Sequence, residues 1–100
     1  MTVNTVLGIS PGSRYVGIAM LRNGELHQWK IKSYKGIYEP EKVDRTLSYI
    51  ENLIILQIVN SIACKVPHPK RTSSVLNRII QRIQEMAEQY KINIRIYTIE

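Results

Sequence analysis

The sequence contains few of the residues on which specialised small folds depend. Its 100 residues include one cysteine, Cys64, with five glycines and four prolines. One cysteine cannot close an internal disulfide, and with only His27 and His68 beside it the chain lacks the ligands for a zinc cluster. So little glycine and proline, without a low-complexity tract, excludes collagen-like and disordered chains. We therefore expect one small globular domain, with Cys64 as a buried apolar residue.

Long apolar segments are also missing. The apolar run at residues 53–56 stops at Gln57, far short of the roughly 18 to 20 residues that a membrane-spanning helix needs. Residues 1–4 show no basic segment leading into the apolar run and cleavage site of a signal peptide. The sequence predicts no membrane span and a cytoplasmic location.

Charge of one sign is in excess. Lys and Arg number 14 against 8 Asp and Glu, which gives a net charge of +6 and an isoelectric point of about 9.7. This moderate excess favours a polyanionic partner such as nucleic acid, but the placement of the charges has to decide.

Three strands separated by short turns are predicted at the start of the chain. Residues 3–9 and 15–21 are apolar and β-branched runs divided by turn-forming residues. Asn23-Gly24 favours a tight hairpin turn, so a third strand should return antiparallel from about Glu25. Alternation along that strand predicts a packed face and a basic face. The packed face would hold His27, Trp29 and Ile31, and the basic face Gln28, Lys30 and Lys32.

The remaining elements alternate between helix and strand. Pro40 suits the first position of a helix, and apolar residues recur at intervals of three and four from Val43 to Ile58. Residues 60–66 alternate and end before two prolines, which predicts a fourth strand. A helix between two strands implies that the fourth strand has a parallel neighbour.

A second helix and a fifth strand complete the pattern. Residues 72–74 supply N-cap candidates for a helix with an apolar face that runs to Tyr90, and residues 92–100 alternate again. The predicted order is βββαβαβ. It describes an α/β fold with a mixed five-stranded sheet, three antiparallel strands followed by αβαβ, and helices packed on it.

The end of the first strand carries the most specific motif. Residues 6–19 read Val-Leu-Gly-Ile-Ser-Pro-Gly-Ser-Arg-Tyr-Val-Gly-Ile-Ala. This segment, together with the order of elements, resembles the opening of the RuvC-type Holliday-junction resolvases and their YqgF-like relatives in the RNase H-like superfamily. The resemblance implies a single RNase H-like domain over residues 1–100, with more structure expected after the fifth strand.

Ser10 stands where that family has Asp. The resemblance implies that cleaving members hold two divalent metals between carboxylates and that this Asp bridges both. A neutral hydroxyl removes the strongest reason for Mg²⁺ to stay, although it can reach a metal through water. The family's second carboxylate falls near residues 63–67, which contain no acid, and the third falls beyond Glu100.

Few acids are left for a metal site. The one Asp, Asp44, starts a helix, where it complements the helix dipole, and Glu100 is the only acid expected near the strand ends. One carboxylate does not make a two-metal centre, so we expect a degenerate catalytic site, with Ser10 as the altered position and Glu100 as a remnant acid. We predict no metal and no cofactor, with Mg²⁺ entering only if residues outside this chain complete the site.

Positive and hydroxyl-bearing residues occupy the same region instead. Ligands gather at the carboxyl ends of parallel strands, which brings together the loops after strands one and four. The amino end of the second helix adds unpaired N–H groups, and such groups bind phosphate without selecting a base sequence. The predicted nucleic-acid or phosphate-binding set is Ser10, Ser13, Arg14, Lys65, Lys70, Arg71, Ser73 and Arg78.

Simpler interpretations exist for parts of this set. Residues 11–13 form a tight turn in any case, and Lys70-Arg71 is equally typical of a solvated loop. Arg78 and Arg82 suit the ordinary solvent face of a helix. Trp29 could stack on bases, but its place on the predicted packed face assigns it to the core.

Three functions follow as alternatives. The first is a resolvase-like domain that binds structured or branched DNA or RNA and has lost metal-dependent nuclease activity. The second is a structural or interaction module, a homodimer formed through a sheet edge or the apolar first helix around residues 53–56. The third is a metal-dependent nuclease completed outside this chain.

A second resemblance concerns nucleotide phosphates. Gly-Ile-Ser-Pro-Gly-Ser at residues 8–13 also looks like the first phosphate segment of sugar kinases and actin-like ATPases. Those proteins likewise have Asp at the position of Ser10, and they need a second domain to enclose ATP. A chain of 100 residues is too short to supply one.

Overall fold

Five strands form one mixed sheet in the computed structural model, which describes residues 4–12, 15–33, 40–66 and 74–98. The elements are β1 (Thr5–Pro11), β2 (Tyr15–Arg22), β3 (Glu25–Ser33), α1 (Pro40–Leu56), β4 (Ser61–Val66), α2 (Ser74–Gln89) and β5 (Asn93–Thr98). The strand order is β3-β2-β1-β4-β5. β2 pairs antiparallel with both β1 and β3, whereas β4 pairs parallel with both β1 and β5. The predicted α/β class and order of elements are confirmed.

The predicted hairpin turn joins β2 to β3. Asn23 and Gly24 have φ angles of 52° and 83°, and two successive positive φ values characterise the tight turn that Asn-Gly favours. The Asn23 side chain also accepts a hydrogen bond from the Asn4 N–H at 3.0 Å. This contact ties the turn to the start of β1, so the hairpin and the first strand are fixed together.

Both helices pack on one side of the sheet, which we call the covered face. Along β1 the buried residues alternate with less buried ones, so Leu7 and Ile9 point to the helices while Gly8 and Ser10 point away. The core of the covered face consists of Leu7, Ile9, Val16, Ile18, Met20, Ile62 and Cys64 from the sheet, of Val43, Leu47, Ile50, Leu53, Ile54, Ile79, Ile83, Met86 and Ala87 from the helices, and of Val59 between α1 and β4.

The apolar stripe of α1 ends earlier than predicted. The helix stops at Leu56, and Ile58 has a φ of 51° and is 78% exposed. The Val59 N–H donates to the Ile54 carbonyl at 3.4 Å, which is the bond that closes a helix through a left-handed residue. The prediction that Ile58 belongs to the buried stripe was therefore wrong, because the three-to-four spacing continues past the point where the backbone turns.

Helix α2 ends in the same way. Lys91 has a φ of 55°, its N–H donates to the Glu88 carbonyl at 3.2 Å, and the Ile92 N–H donates to the Ala87 carbonyl at 2.8 Å. Both hydrogen bonds of the Schellman motif are present. Neither left-handed position carries glycine, so each helix end retains some backbone strain.

The two faces of β3 are the reverse of those predicted. Trp29 and Ile31 are 67% and 56% exposed, and their partners across β2 are Ala19 and Gly17, which point away from the helices. Lys30 and Lys32 lie on the covered face instead, opposite Ile18 and Val16. His27 is exposed beside a register shift that interrupts the pairing of β2 with β3.

Tyr49 explains how two lysines fit beside the helices. The Nζ atoms of Lys30 and Lys32 lie 5.3 and 4.4 Å from the centre of the Tyr49 ring on α1. Such cation–π contacts hold the ammonium groups against the ring while the aliphatic stems cover apolar surface. Desolvation and the neighbouring Lys30 charge lower the pKa of Lys32. A basic residue on an edge strand can therefore occupy the packed side of a sheet.

Candidate nucleic-acid interface

The side of the sheet opposite the helices, which we call the open face, carries a groove with a volume of about 510 Å³. Its floor is made of small residues on the three central strands. Gly8 and Gly17 lie beside Ala19 and Ala63 in the pairing register. Since these side chains rise little above the backbone, a ligand can approach the sheet closely there.

Larger side chains form the two walls of the groove. Trp29 and Ile31 stand along β3, while Lys65 on β4 and Tyr97 on β5 stand on the other side. Lys65 and Tyr97 are partners in the parallel register, and Tyr97 is 49% exposed. Two of the four wall residues are therefore exposed aromatic side chains, one on each side of the floor.

Ser10 and Lys65, two members of the predicted binding set, lie together in this groove. The β1–β4 register pairs Ile9 with Cys64, so the next residues on the two strands are Ser10 and Lys65. Both are exposed and both line the groove. Residues that carry a hydroxyl and an ammonium group, at neighbouring carboxyl ends of parallel strands, are suited to bind phosphate oxygens.

Arg78 lies elsewhere. It belongs to α2 on the covered side, and its Nη2 atom is 3.5 Å from the Asp44 Oδ1 atom on α1. A polar cleft between the two helices contains this pair with Glu51 and Arg82. The structure therefore does not bring Arg78 to Ser10 and Lys65, because the sheet separates them.

Six predicted residues lie outside the described ranges. The structure gives no position for the loop and terminal members of the sequence-based set. These are Ser13, Arg14, Lys70, Arg71, Ser73 and Glu100.

The residues at the strand ends do not fit a divalent metal. Mg²⁺ and its relatives bind carboxylate oxygens, whereas Ser10 offers a neutral hydroxyl and Lys65 a positive charge. Over residues 4–12, 15–33, 40–66 and 74–98, no group of three or more His, Cys, Asp or Glu side chains could hold a metal ion. Asp44 faces Arg78 across the helix pair and is not part of the groove.

Charge on the open face is of one sign. Lys65 is joined there by Arg95, which is opposite Ala63 in the β4–β5 register and is exposed. None of the described residues that point to this face is acidic, so an anion meets no repulsion on it. By register and alternation the strand residues of this face are Val6, Gly8, Ser10, Tyr15, Gly17, Ala19, Leu21, Leu26, Trp29, Ile31, Ser33, Ser61, Ala63, Lys65, Asn93, Arg95 and Tyr97.

Cys64 lies directly beside this site but on the covered face. It is completely buried, as predicted, and burial raises the pKa of its thiol to about 11. A thiol with so high a pKa stays protonated near neutral pH and is a poor nucleophile. Its role is packing.

The aromatic walls and the small-residue floor were missed by the sequence analysis. A signal for the floor exists, since Leu7-Gly8-Ile9 and Val16-Gly17-Ile18-Ala19 alternate large and small residues. Such alternation puts the large side chains on one face and leaves the other shallow. No comparable signal identifies Trp29, because its strand alternates apolar and basic residues and either set could face the helices.

Comparison with solved structures identifies the fold. Thermus thermophilus RuvC in complex with a Holliday junction substrate superimposes with a TM-score of 0.79 at 14% identity, over 95% of this chain and 65% of that chain. The fold is RNase H-like. A second T. thermophilus RuvC structure gives a TM-score of 0.73 at the same identity, over 94% of this chain and 61% of that one. This chain therefore spans less than two thirds of the length of the RuvC structures that it matches.

Other proteins share this RNase H-like sheet. YeaZ from Pseudomonas aeruginosa has a TM-score of 0.64 at 17% identity, over 95% of this chain and 44% of that chain. An Aquifex aeolicus PPX-GPPA enzyme has a TM-score of 0.52 at 13% identity, over 97% and 36%. No family model and no curated protein matches the sequence. At these identities the comparisons establish the fold, and function has to be argued from the site.

Within the described ranges, neither helix is long and apolar enough to cross a membrane.

Proposed function

We propose that this chain is an RNase H-like nucleic-acid-binding domain that takes structured or branched DNA or RNA without cleaving it through metal ions. One observation supports this most directly: Ser10 and Lys65 follow the last paired residues of the two central parallel strands, and both line the groove. The resemblance to resolvases implies metal-binding carboxylates in that region. The cytoplasm stays the predicted location.

The physical reason is a reversal of local charge. A pair of carboxylates would attract divalent cations and repel phosphate until the metals neutralised them. Ser10 and Lys65 attract phosphate directly, and Arg95 adds a second cation on the same face. Contacts of this kind hold a nucleic-acid backbone in place but carry no base specificity.

Binding to a labelled four-way junction tests the proposal. The purified protein is titrated at several salt concentrations, with duplex and single-stranded DNA of the same sequence as comparisons and with RNA counterparts of each. We expect affinity to fall steeply with salt, because bound cations release counterions from the phosphates. We expect no cut strand after incubation with Mg²⁺ or Mn²⁺. Binding that fails at low salt contradicts the proposal.

Lys65→Ala is the informative variant and Arg82→Ala its matched control. Both remove one positive charge from an exposed side chain, but Arg82 lies on the covered side and pairs with Glu85 at 3.0 Å. Lys65→Ala should weaken binding and lower the slope of log K against log salt by about 1. Arg82→Ala should change neither. Equal effects of the two variants would mean that net charge, and not this site, drives association.

The loop residues are tested by the same assay. Arg14→Ala and the double variant Lys70→Ala, Arg71→Ala remove cations that the sequence analysis assigns to the site. If they belong to it, each lost phosphate contact should lower the salt slope by about 1, as for Lys65. Slopes equal to that of the unaltered protein would limit the site to the strand ends.

An exposed apolar patch supports a second candidate, a homodimer. Ile55, Leu56 and Ile58 are 52%, 74% and 78% exposed at the end of α1, whereas Leu53 and Ile54 are buried. A contiguous patch of this kind on a small domain favours a contact with a second protein. Light scattering over a concentration series should show a doubled mass if the patch is a dimer interface, and Leu56→Glu should abolish it. A constant monomer mass removes this candidate.

The third alternative, a nuclease completed by residues outside this chain, has its own outcome in the junction assay. Cleavage that depends on added Mg²⁺ or Mn²⁺ and disappears with a chelator would support it. It would also contradict the main proposal.

A further inference from the structure

We propose that the groove of the open face is a base-stacking site for single-stranded nucleic acid, with Trp29 and Tyr97 as its stacking side chains. This inference deepens the proposed function and rests on it. It assigns the unpaired bases to the groove, whereas the proposed function concerns only the phosphates at the strand ends.

The exposure of Trp29 is the first observation. Tryptophan has the largest side chain, and burying it would remove the most apolar area from water. The single tryptophan of this chain is nevertheless 67% exposed, while the covered face of the same sheet has a closed apolar core. Tyr97 on the opposite wall is 49% exposed. Exposed aromatic rings beside cations are the usual platform for unpaired bases, whose faces stack on them whatever the sequence.

The floor of the groove is the second observation. A Cβ atom added to Gly17 would lie 3.7 Å from the Ser10 Cβ atom, and one added to Gly8 would lie 3.7 Å from the Ala19 carbonyl oxygen. These are ordinary van der Waals distances, and neither residue has a positive φ. Packing and backbone geometry therefore do not require glycine at either position. A flat ligand that lies against the sheet would require it, because any larger side chain there would hold the ligand away from the backbone.

Charge decides which flat ligand fits. Lys65 and Arg95 are the cations of the open face, neither is in a salt bridge within the described ranges, and no described residue of this face is acidic. The apolar floor and the aromatic walls suit flat apolar groups, and the two cations suit negative charges. A polyanion that also carries flat apolar groups is complementary to both. A second copy of this chain has the same positive charge and is disfavoured on this face.

The phosphate-binding pair lies at one end of the same groove. Ser10 and Lys65 line it together with the aromatic walls, so a strand whose phosphate contacts this pair has its adjacent bases over the floor. Trp29 and Tyr97 belong to the outermost strands, about 19 Å apart from axis to axis at the usual strand spacing. That span suits several nucleotides of one strand. A duplex keeps its bases stacked inside and cannot offer them to the rings.

The emission of the single tryptophan provides the readout. The protein is titrated with a single-stranded DNA of about 15 nucleotides, within the range of known single-strand sites, and with a strand of equal length that keeps every phosphate but lacks the bases. We expect the normal strand to quench Trp29 emission and the abasic strand to bind at least about 10-fold more weakly. Equal binding of the two strands overturns the stacking site and leaves phosphate binding intact.

Variants separate stacking from folding. Tyr97→Ala should weaken binding of the normal strand about 10-fold, whereas Ile96→Ala, the adjacent residue that points to the other face, should change it less than 2-fold. Gly17→Val should fill the groove and also weaken binding about 10-fold. Valine favours strands more than glycine does, so the thermal midpoint should not fall. Unchanged affinity in both Tyr97→Ala and Gly17→Val overturns the inference.

The remaining outcomes distinguish the two proposals. If the junction binds with a steep salt dependence but single strands leave Trp29 emission unchanged, the stacking site is wrong and the proposed function stands. If neither binds at low salt, both are wrong. If Trp29 emission shifts with protein concentration alone and the mass doubles, a second copy occupies the groove, which also overturns the inference.

Discussion

The two faces of the sheet use the same strands for opposite purposes. On the covered face, residues such as Leu7 and Ile62 are buried beneath two helices and define the core. On the open face, the alternate residues of the same strands that line the groove are glycine, alanine, serine and lysine, and the outer strands add exposed aromatic rings. Stability and binding are therefore separated by the pleat of the sheet, and substitutions one residue apart should affect different properties.

The largest expected difference in stability is between isoleucine substitutions on the two faces. Ile62 on β4 is 1% exposed under the helices, and Ile31 on β3 is 56% exposed in the groove wall. Ile62→Ala should lower the free energy of unfolding by about 3 kcal/mol, since it leaves a cavity in the core. Ile31→Ala should lower it by less than about 1 kcal/mol. Urea denaturation of both variants measures this, and equal losses would show that the open face is packed in solution.

A pH dependence tests the covered face at Cys64. Its thiol pKa is raised from 9.0 to about 11, so above pH 9 the unfolded chain releases a proton that the folded chain retains. The stabilising contribution is complete below pH 9 and is lost as pH rises towards 11. It should reach about 2 kcal/mol.

Cys64→Ala isolates this contribution. The difference in unfolding free energy between the two proteins should shrink by that amount between pH 9 and pH 11, while other groups titrate equally in both. A difference that stays constant with pH would mean that the thiol is accessible to solvent. Ile62→Ala serves as the control: it removes buried apolar atoms but no titratable group, so its own difference should stay constant between pH 9 and pH 11.

The left-handed end of α1 offers a smaller, stabilising change. Ile58→Gly should raise the free energy of unfolding by about 1 kcal/mol, because glycine adopts a φ of 51° without strain and the lost side chain is 78% exposed. Ile55→Gly, inside the helix and 52% exposed, should lower it by about 1 kcal/mol. Thermal unfolding distinguishes the two signs. Destabilisation by both would show that the exposed patch contributes contacts of its own.

The smallest effect belongs to the surface of the helix pair. Asp44 and Arg78 are joined at 3.5 Å, with side chains 60% and 49% exposed. Asp44→Asn should change the free energy of unfolding by at most about 0.5 kcal/mol, since water and salt screen such pairs. It should leave junction binding unaltered, because the pair lies across the sheet from the groove. Tighter junction binding by this variant would bring Arg78 back into the interface.

The fold was accessible from the sequence to a greater extent than the site. Periodicity, the Asn23-Gly24 turn and the proline positions are local signals, and they predicted every element with bounds close to those observed. The placement of Ser10 and Lys65 in one groove agrees with the general rule that the ends of parallel strands lie together. The elements and their neighbours in the sheet follow from local patterns and from the order of elements along the chain, and both can be read from a sequence.

Which side of β3 faces the helices could not be predicted from the sequence in the same way. A strand that alternates apolar and basic residues fits a sheet in either orientation, and the choice depends on partners far along the chain. Here the ring of Tyr49 on α1, which follows β3 in the chain, contacts the ammonium groups of Lys30 and Lys32. The position of Arg78 was likewise decided by Asp44 on another element. Neither contact produces a periodic pattern in the sequence from which it could have been predicted.

The same lysines have a consequence for self-association. β3 is an edge strand, and an apolar edge is a template on which further copies can add and grow into aggregates. Lys30 and Lys32 place like charges opposite one another in any such addition, and the register shift beside His27 bends the edge out of line. An exposed Trp29 can thus be carried on this edge with little risk of fibril formation, and neutralising the two lysines should remove that protection first.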